Sequence, residues 1–112
     1  MPKQKLWVEK DGRVVISDYR LRLLLLVEET GSLAKAASAM KLSYRRAWGK
    51  VKELETNLGV PLVASEVGGA GGGHTALTPT ATALVRAYER LQARLDAELA
   101  VAFAQEFESF RL

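Results

Sequence analysis

The chain of 112 residues contains no cysteine and a single histidine. Without cysteine it can form no disulfide, no thiolate metal site and no thiol nucleophile. The aliphatic run at Leu23–Val27 is far too short to span a membrane. The N-terminus carries no apolar run of the kind that directs secretion, so we expect a cytoplasmic protein that does not contact the membrane.

The sequence also lacks a recognisable catalytic set. Its one histidine, His74, follows the glycine-rich stretch Gly68–Gly73, and no Ser-His-Asp set or anchored carboxylate pair accompanies it. A lone histidine is a poor metal site, so we expect His74 either to have a role in a turn or near a phosphate, or simply to be exposed to solvent. No Gly-Lys-Ser/Thr follows the glycines, which argues against a nucleotide-binding loop. We therefore predict a protein that is not an enzyme and uses no cofactor.

The stretch Ser32–Gly59 predicts a helix-turn-helix. Ser32 can cap a short first helix, and Ser43 can cap a second helix that runs from Tyr44 to about Leu58, with Gly59 as its stop. Apolar residues recur at helical spacing in both: Leu33, Ala36, Ala37 and Met40 in the first, Ala47, Val51, Leu54 and Leu58 in the second. A small-residue helix crossed by a half-buried helix with an exposed N-terminal turn is typical of proteins that enter a major groove.

Positive charge is concentrated around this motif. From Lys41 to Lys52 there are five Lys/Arg and no Asp/Glu. Residues 1–60 carry twelve Lys/Arg and seven Asp/Glu, a net of +5, whereas residues 61–112 carry four and six, a net of −2. Such a face suits phosphates, and Arg can also pair with guanine. The alternative interpretation is an ordinary solvated basic helix face.

Before the motif, the sequence predicts a hairpin and a packing helix. Asp-Gly at positions 11–12, between two β-prone runs, favours a two-residue turn. Pairing outward from that turn places Val8 opposite Val15 and Trp7 opposite Ile16. Trp7 is expected to cover the core or a partner subunit. Asp18 is expected to cap the next helix, Tyr19–Thr30, whose many leucines predict that it is covered on more than one side.

After the motif, two short strands and a glycine-rich tip predict a wing. The strands are expected at Val60–Ala64, with Pro61 near its start, and at Thr75–Thr78. The glycines between them would let backbone N–H groups approach a phosphate backbone or a minor groove closely. A plain disordered linker is the alternative for this stretch.

A long last helix is predicted from Pro79, with Thr78 as its cap, to about Phe110, roughly 45 Å. Apolar residues recur along it every three or four positions: Leu84, Tyr88, Leu91, Leu95, Leu99, Phe103, Phe107 and Phe110. A small domain cannot cover this whole stripe, but the same helix of a second subunit can. We therefore expect residues 1–78 to form the DNA-binding domain and residues 79–112 a dimerisation helix. The alternative is a helix folded back on its own domain.

The helix-turn-helix, the hairpin and the wing together resemble a known family. G-S-L-A-K-A-A at Gly31–Ala37 and L-G-V-P-L-V at Leu58–Val63 resemble the LysR-type winged helix-turn-helix. Five further segments are similar, in this order, to the N-terminal domain of the molybdate-responsive transcriptional regulators: L-W-V-E-K-D-G, E-E-T-G-S, L-S-Y-R-R-A-W, G-G-A-G-G-G and L-T. The fold class expected is mostly α with small β: a winged helix-turn-helix with an N-terminal hairpin and a long dimerisation helix.

The resemblance implies a bacterial homodimer that binds a palindromic operator in double-stranded DNA, often beside molybdate-transport genes. It places Ser43–Arg46 in the major groove and Lys50 on a phosphate; Ala47 and Trp48 are at least as well explained by packing. The resemblance and the distribution of basic residues and glycines together give the candidate DNA contacts: Lys41, Ser43, Tyr44, Arg45, Arg46, Lys50, Gly69, Gly71, Gly72 and His74.

The sequence departs from that family in two ways. Full-length members continue into a molybdate-binding region, and this chain ends before it, so we expect no molybdate cofactor here; a separate effector-sensing protein could exist. The family often places Arg in and before the wing tip, where this chain has Ser65, Glu66 and Ala70. The alternative function is therefore a winged-helix dimerisation or protein-interaction module with weak or no specific DNA binding.

Overall fold

The computed structural model describes residues 1–66 and 74–112. Within these ranges the chain forms a mostly helical fold with two small antiparallel strand pairs, as the sequence predicts. The elements are β1 (Trp7–Lys10), β2 (Arg13–Ser17), α1 (Asp18–Thr30), α2 (Leu33–Ala39), α3 (Tyr44–Leu58), β3 (Val63–Glu66), β4 (His74–Leu77) and α4 (Pro79–Glu106).

The β1–β2 hairpin has the predicted turn but not the predicted register. Asp11 and Gly12 both have positive φ, 53° and 76°, as a two-residue hairpin turn requires. A bulge between Val8 and Glu9 then shifts the ladder. The observed pairs are Trp7 with Ser17, Val8 with Ile16, Glu9 with Val14 and Lys10 with Arg13. The predicted pairs were wrong by one residue, because the bulge admits an extra residue in β2 and both Val15 and Ile16 are buried.

Trp7 does not join the core of its own domain. Its side chain is 54% exposed, and its Nε1–H donates to Glu9 Oε2 at 2.8 Å. The expectation that Trp7 covers the core was therefore wrong. The other expectation, contact with a partner subunit, stays a prediction.

Every helix begins at a hydroxyl cap. The caps Ser17, Ser32, Ser43 and Thr78 accept the backbone N–H groups of Arg20, Lys35, Arg46 and Ala81, respectively. Three of these four caps were predicted. The prediction for α1 was wrong by one residue: Ser17 is the cap, and Asp18 is the first residue of the helix. The Asp18 carboxylate instead bonds to side chains of α4.

Helix α1 lies at the centre of the domain, as predicted. Leu24 joins a cluster with the hairpin, the end of α3 and the start of α4, whereas Leu23 and Val27 join a second cluster with α2 and the middle of α3. All three side chains are fully buried. Because α3 contributes to both clusters, through Leu54 and Val51, its orientation relative to α1 is fixed along most of its length.

The two wing strands are antiparallel, with Val63 opposite Leu77 and Glu66 opposite His74. The first strand begins later than predicted, because residues just before it are held by side chains of other elements. The Thr78 hydroxyl donates to the Pro61 carbonyl oxygen at 2.9 Å, so Pro61 precedes the strand. The tip between the strands, including Gly69, Gly71 and Gly72, lies outside the described residues.

Only the first part of α4 packs on the domain. Ala81, Val85 and Tyr88 are buried, and the rest of the helix extends away, giving overall dimensions of 61 × 29 × 22 Å. The helix ends at Glu106, slightly earlier than predicted, where the Phe107 N–H donates to the Phe103 carbonyl oxygen. In the two described ranges, no helix combines the length and apolarity needed to cross a membrane.

A polar junction, formed by Leu6, Asp18, Tyr88 and Gln92, joins α4 to the start of α1. The Tyr88 hydroxyl lies 2.7 Å from both the Leu6 carbonyl oxygen and Asp18 Oδ1, and Gln92 Nε2 donates to the same Oδ1 at 2.6 Å. The hydrogen bond from Tyr88 holds the pKa of Asp18 below its ordinary value, despite opposition from burial. This carboxylate therefore ties together three segments that are far apart in sequence.

Farther along α1, an ion pair makes a second connection to α4. Arg86 donates to both carboxylate oxygens of Glu28, at 2.7 and 2.8 Å. Glu28 lies near the C-terminus of α1, where a negative charge is unfavourable for the helix dipole. Its ion pair with Arg86 Nη2 opposes that penalty and, together with Glu89, raises the pKa of the guanidinium.

Candidate nucleic-acid interface

The first turn of α3 presents three polar or charged side chains to solvent. The Ser43 hydroxyl accepts the N–H of Arg46 at 3.1 Å, which fixes the start of the helix. Tyr44, Arg45 and Arg46 follow, and all are exposed. Among the described residues, neither arginine takes part in an ion pair. The predicted groove-reading residues are thus together, solvated and available.

Lys41 lies in the turn between α2 and α3. Its φ of 57° is in the left-handed region, which is uncommon for a residue with a side chain and costs roughly 1–2 kcal/mol. The N–H groups of Lys41 and Leu42 donate to Ser38 and Ala37 carbonyl oxygens at 3.0 and 2.9 Å, so the turn is tightly closed. Leu42 packs on the core while Lys41 remains exposed, which adds a cation just ahead of the recognition turn.

The two lysines farther along α3 are held by aromatic rings. Lys50 Nζ lies 5.1 Å from the ring centroid of Tyr19, at the start of α1. Lys52 Nζ lies 5.5 Å from the ring centroid of Trp48 and pairs with Glu55 at 2.9 Å. Lys50 has no carboxylate partner among the described residues, whereas Lys52 forms an ion pair with Glu55. Lys50 is therefore the better candidate for a phosphate contact.

Trp48 is more exposed than a packing role would allow. Its side chain is 47% exposed, whereas the neighbouring Ala47 is fully buried. A packing role was considered for both Ala47 and Trp48, and only Ala47 is packed in the core. Trp48 lies one turn after Tyr44 and one turn before Lys52, so these three side chains share one flank of the helix. This aromatic flank is a functional candidate that the helical spacing in the sequence could have indicated.

Gly49 occupies an exposed position in the interior of α3. An ideal Cβ built on it meets no atom of residues 1–66 or 74–112 within 4 Å, so packing within that part of the chain does not require a glycine there. A glycine inside a helix costs about 0.5–1 kcal/mol of stability relative to alanine. The sequence gives no packing or turn-forming reason for this cost.

Glu55 fastens the wing to α3. One of its carboxylate oxygens accepts the N–H of Leu62 at 2.7 Å and that of Val63 at 3.3 Å. Burial tends to raise the pKa of this carboxyl, but the hydrogen bonds from Leu62, Lys52 and Val63 outweigh it, and the pKa is lowered. The ionised carboxylate thus sets the position at which β3 leaves the recognition helix.

His74 stands at the start of β4, opposite Glu66, next to the glycine-rich tip. Its ring lies against the corner between α1 and α2: a Cβ on Gly31 would come within 2.5 Å of His74 Cε1. The next residue, Thr75, donates its N–H to the Gly31 carbonyl oxygen at 2.9 Å. Whether His74 approaches a phosphate stays a prediction, but its contact with Gly31 positions the second wing strand on the domain.

The residues predicted to mediate dimerisation divide into two groups. Tyr88 is only 3% exposed and lies in the domain core, and Leu84 packs against the same cluster. Tyr88 is thus occupied within its own chain, and its placement at a dimer contact needs correction. The other five line the projecting part of α4 and are half-buried or exposed: Leu91, Leu95, Leu99, Phe103 and Phe107. Phe103 and Phe107 stack on each other with ring centroids 4.9 Å apart.

Comparison with known proteins places this arrangement among gene regulators. The family of bacterial regulatory helix-turn-helix proteins of the lysR type matches residues 19–84. The chain is 35% identical over 85 residues to the molybdenum transport protein ModE of Azotobacter vinelandii, covering 76% of this chain and 32% of that protein. It is 38% identical over 74 residues to the molybdenum-pterin-binding protein MopB of Rhodobacter capsulatus, covering 66% and 27%. The chain spans roughly a third of the length of these curated relatives.

Solved structures share the fold. The protein in the CbnR_DBD–DNA complex superposes with a TM-score of 0.59 at 23% identity, covering 79% of this chain and 95% of that one. The LysR family transcriptional regulator VV2_1132 superposes with a TM-score of 0.57 at 24% identity, covering 79% and 28%. These structures therefore share the fold of this chain over about four fifths of its length.

Proposed function

Because this chain belongs to the family of bacterial regulatory helix-turn-helix proteins of the LysR type, we propose that it is a sequence-specific, double-stranded DNA-binding transcriptional regulator. The observation that carries the proposal is the first turn of α3. There, a capped helix start presents Tyr44, Arg45 and Arg46 to solvent, with Lys41 beside it and Lys50 one turn on. As a protein that acts on a bacterial chromosome, it would work in the cytoplasm.

In the proposed complex, α3 enters the major groove by its N-terminal end. The positive end of the helix dipole and the cation of Lys41 favour approach to the phosphates. Arg45 and Arg46 are long enough to reach base edges, where an Arg guanidinium pairs with the N7 and O6 acceptors of guanine. Tyr44 adds an apolar face or a hydroxyl contact, and Lys50 adds a phosphate contact.

The wing is proposed as a second contact. Its strands are fixed to the domain by the hydrogen bond from Leu62 to Glu55 and by that from Thr75 to Gly31, so the two strands that flank the tip have defined positions. Backbone N–H groups of Gly69, Gly71 and Gly72 would approach a phosphate backbone, with His74 at the edge of that contact. Glycine permits this approach because it has no side chain to hold the strand away.

We expect purified protein to select a palindromic consensus from a randomised duplex library. Affinity for the selected duplex should fall steeply with salt, since each phosphate contact adds about −0.9 to the slope of log K against log salt concentration. Six contacts from two subunits would give a slope of about −5. The measurement is fluorescence anisotropy on the selected and a scrambled duplex across a salt series. Selection of no consensus, or equal affinity for both duplexes, would exclude sequence-specific binding.

The regulator is further proposed to act as a homodimer through α4. Its projecting half leaves Leu91 39% exposed, and Phe107, at the C-terminal cap of the helix, is 43% exposed. Pairing with a second α4 would cover these side chains and hold two recognition helices at a fixed separation, as a palindrome requires.

The dimer is tested by sedimentation equilibrium. The wild-type chain should have twice its mass of 12.3 kDa. Leu91→Glu combined with Leu95→Glu should give a monomer, because buried, unpaired charges strongly oppose association. The matched control is Ala93→Glu with Ala97→Glu, which adds the same charges at the same spacing at exposed positions off the apolar stripe. A wild-type monomer, or dissociation of both double variants alike, would count against this interface.

The relation to molybdate is proposed only for the target genes. The curated relatives are named for molybdenum transport and molybdenum-pterin binding. We propose that this chain regulates genes of that kind, and that its residues bind no molybdate themselves. Any response to molybdate would then reside in residues beyond this chain or in a separate effector-sensing protein.

The second candidate function is a dimerisation or protein-interaction module with weak DNA binding. An exposed aromatic pair just beyond the end of α4 favours it: the ring centroids of Phe107 and Phe110 lie 5.4 Å apart. It predicts that the randomised library yields no consensus at any salt concentration. The library experiment therefore separates the two functions directly.

A further inference from the structure

Gly49 lies among charged residues on the solvent-facing side of α3. Arg45 and Arg46 are one turn before it, and Lys52 and Glu53 are one turn after it. The buried stripe Ala47–Val51–Leu54 is on the opposite side of the helix. Gly49 is therefore central to the surface that the proposed function turns towards DNA.

The internal structure of the protein gives no reason for this glycine. Gly31 and Gly59 end helices at positive φ, 68° and 78°, where a side chain would be strained, and Gly31 is also crowded by His74. Gly49 has helical backbone, and a Cβ at this position would meet no atom of the described residues within 4 Å. The stability cost of glycine in a helix is thus accepted at a position where an alanine would have room in the isolated chain.

We infer that Gly49 is the point at which DNA comes into closest contact with the backbone of α3, so that it acts as a positioning residue for sequence reading. This inference rests on the proposed function. A helix with its side chains is about 10–12 Å across, and a major groove is about 12 Å wide, so the fit leaves little room. A bare backbone in the middle of the outer face lets the helix sit deeper.

How deeply α3 enters the groove determines whether the neighbouring arginines reach the base edges. Arg45 is one turn away on the same face, and its contacts with base edges depend on how far the helix axis lies from the groove floor. A side chain at position 49 would hold α3 outward and lengthen those hydrogen bonds, which weaken steeply with distance and misalignment. The occupant is inferred to be nucleic acid because Arg45, Arg46 and Lys50 surround the position with positive charge.

The test compares Gly49→Ala and Gly49→Leu with matched changes at Thr56. Thr56 is exposed, lies two turns further along the same outer face, and belongs to the same helix. Each variant is measured for thermal unfolding and for affinity to the duplex that wild-type protein selects from the randomised library. The two readouts separate an effect on folding from an effect on binding.

The inference predicts opposite signs for the two readouts. Gly49→Ala should raise the unfolding temperature by about 4 °C, because alanine is the better helix former. It should nevertheless weaken binding to the selected duplex, and Gly49→Leu should weaken it further, by at least roughly tenfold, as overfilled contacts do. Thr56→Ala and Thr56→Leu should bind as wild type does.

Gly49→Leu binding the selected duplex as tightly as wild type would overturn the inference, and so would an equal loss from Thr56→Leu. Both results would leave the proposed function intact, provided that Arg45→Ala still weakens binding. If wild-type protein selects no duplex at all, the proposed function fails, and this inference fails with it.

Discussion

Replacing Arg45 and Arg46 together by alanine is expected to reduce affinity for the selected duplex about a hundredfold or more. Each Arg paired bidentately with guanine contributes about 1–3 kcal/mol of discrimination, and each 1.4 kcal/mol is a factor of ten. The structure gives no competing role to these side chains: both are exposed, and neither is in an ion pair within the described ranges. The loss should therefore appear in binding and leave the unfolding temperature nearly unchanged.

The matched control for this pair is Lys50→Ala. Its ammonium lies over the ring of Tyr19. Because we propose that it contacts a phosphate, its removal should weaken binding to all duplexes alike. It should also reduce the magnitude of the salt slope by about one for each phosphate that the variant no longer neutralises. The arginine double variant should instead lose affinity mainly for the selected sequence. If it weakens selected and scrambled duplexes equally, Arg45 and Arg46 contact phosphates only.

The helix-turn-helix could be predicted closely because its signals are local. Ser32 and Ser43 bond backbone N–H groups three residues ahead, and Gly59 has the left-handed conformation that ends α3. The apolar residues of α3 follow the helical repeat and are buried as that repeat requires. Each of these features depends on residues within one or two turns of chain, which sequence alone displays.

The features that were predicted wrongly depend on distant residues. The register of the hairpin is shifted by a bulge, and both Val15 and Ile16 are buried as a result, which the Asp-Gly turn cannot reveal. The start of β3 is set by Glu55, seven and eight residues before the N–H groups that it accepts. Tyr88 falls in the apolar stripe of α4, but its hydroxyl finds a partner at Asp18, seventy residues away.

The candidate site shows the same division. Spacing places Arg45 and Arg46 at the start of a helix, and the structure adds that they are unpaired within the described residues. Spacing could not decide whether Trp48 packs, since an aromatic residue on the flank of a helix is buried or exposed according to its neighbours. The significance of Gly49 emerges only when the space around its missing Cβ is known.

The second large effect is expected at the polar junction. Tyr88→Ala should lower the free energy of unfolding by about 3–5 kcal/mol, as loss of a buried aromatic side chain does. Tyr88→Phe keeps the ring and removes only the hydroxyl, so it should cost about 1–3 kcal/mol, because Leu6 and Asp18 lose a donor. Denaturant unfolding measures both. The control is Tyr19→Phe at an exposed tyrosine, which should be nearly neutral.

The pH dependence of the destabilisation by Tyr88→Phe tests whether the hydrogen bond to Asp18 causes it. Asp18 has a folded-state pKa below its ordinary 3.8, first because Tyr88 donates to it, so its stabilising contribution is present above pH 3.8 and is lost as pH falls through the folded-state pKa. Burial, then Asp18, raises the pKa of Tyr88 above its ordinary 10.0, so its hydroxyl remains a donor at neutral pH. The destabilisation of Tyr88→Phe should therefore be largest near neutral pH and shrink below pH 3.8. A destabilisation that stays constant across this range would mean that the hydroxyl acts through Leu6 alone, and that its hydrogen bond to the Asp18 carboxylate does not hold α4 in place.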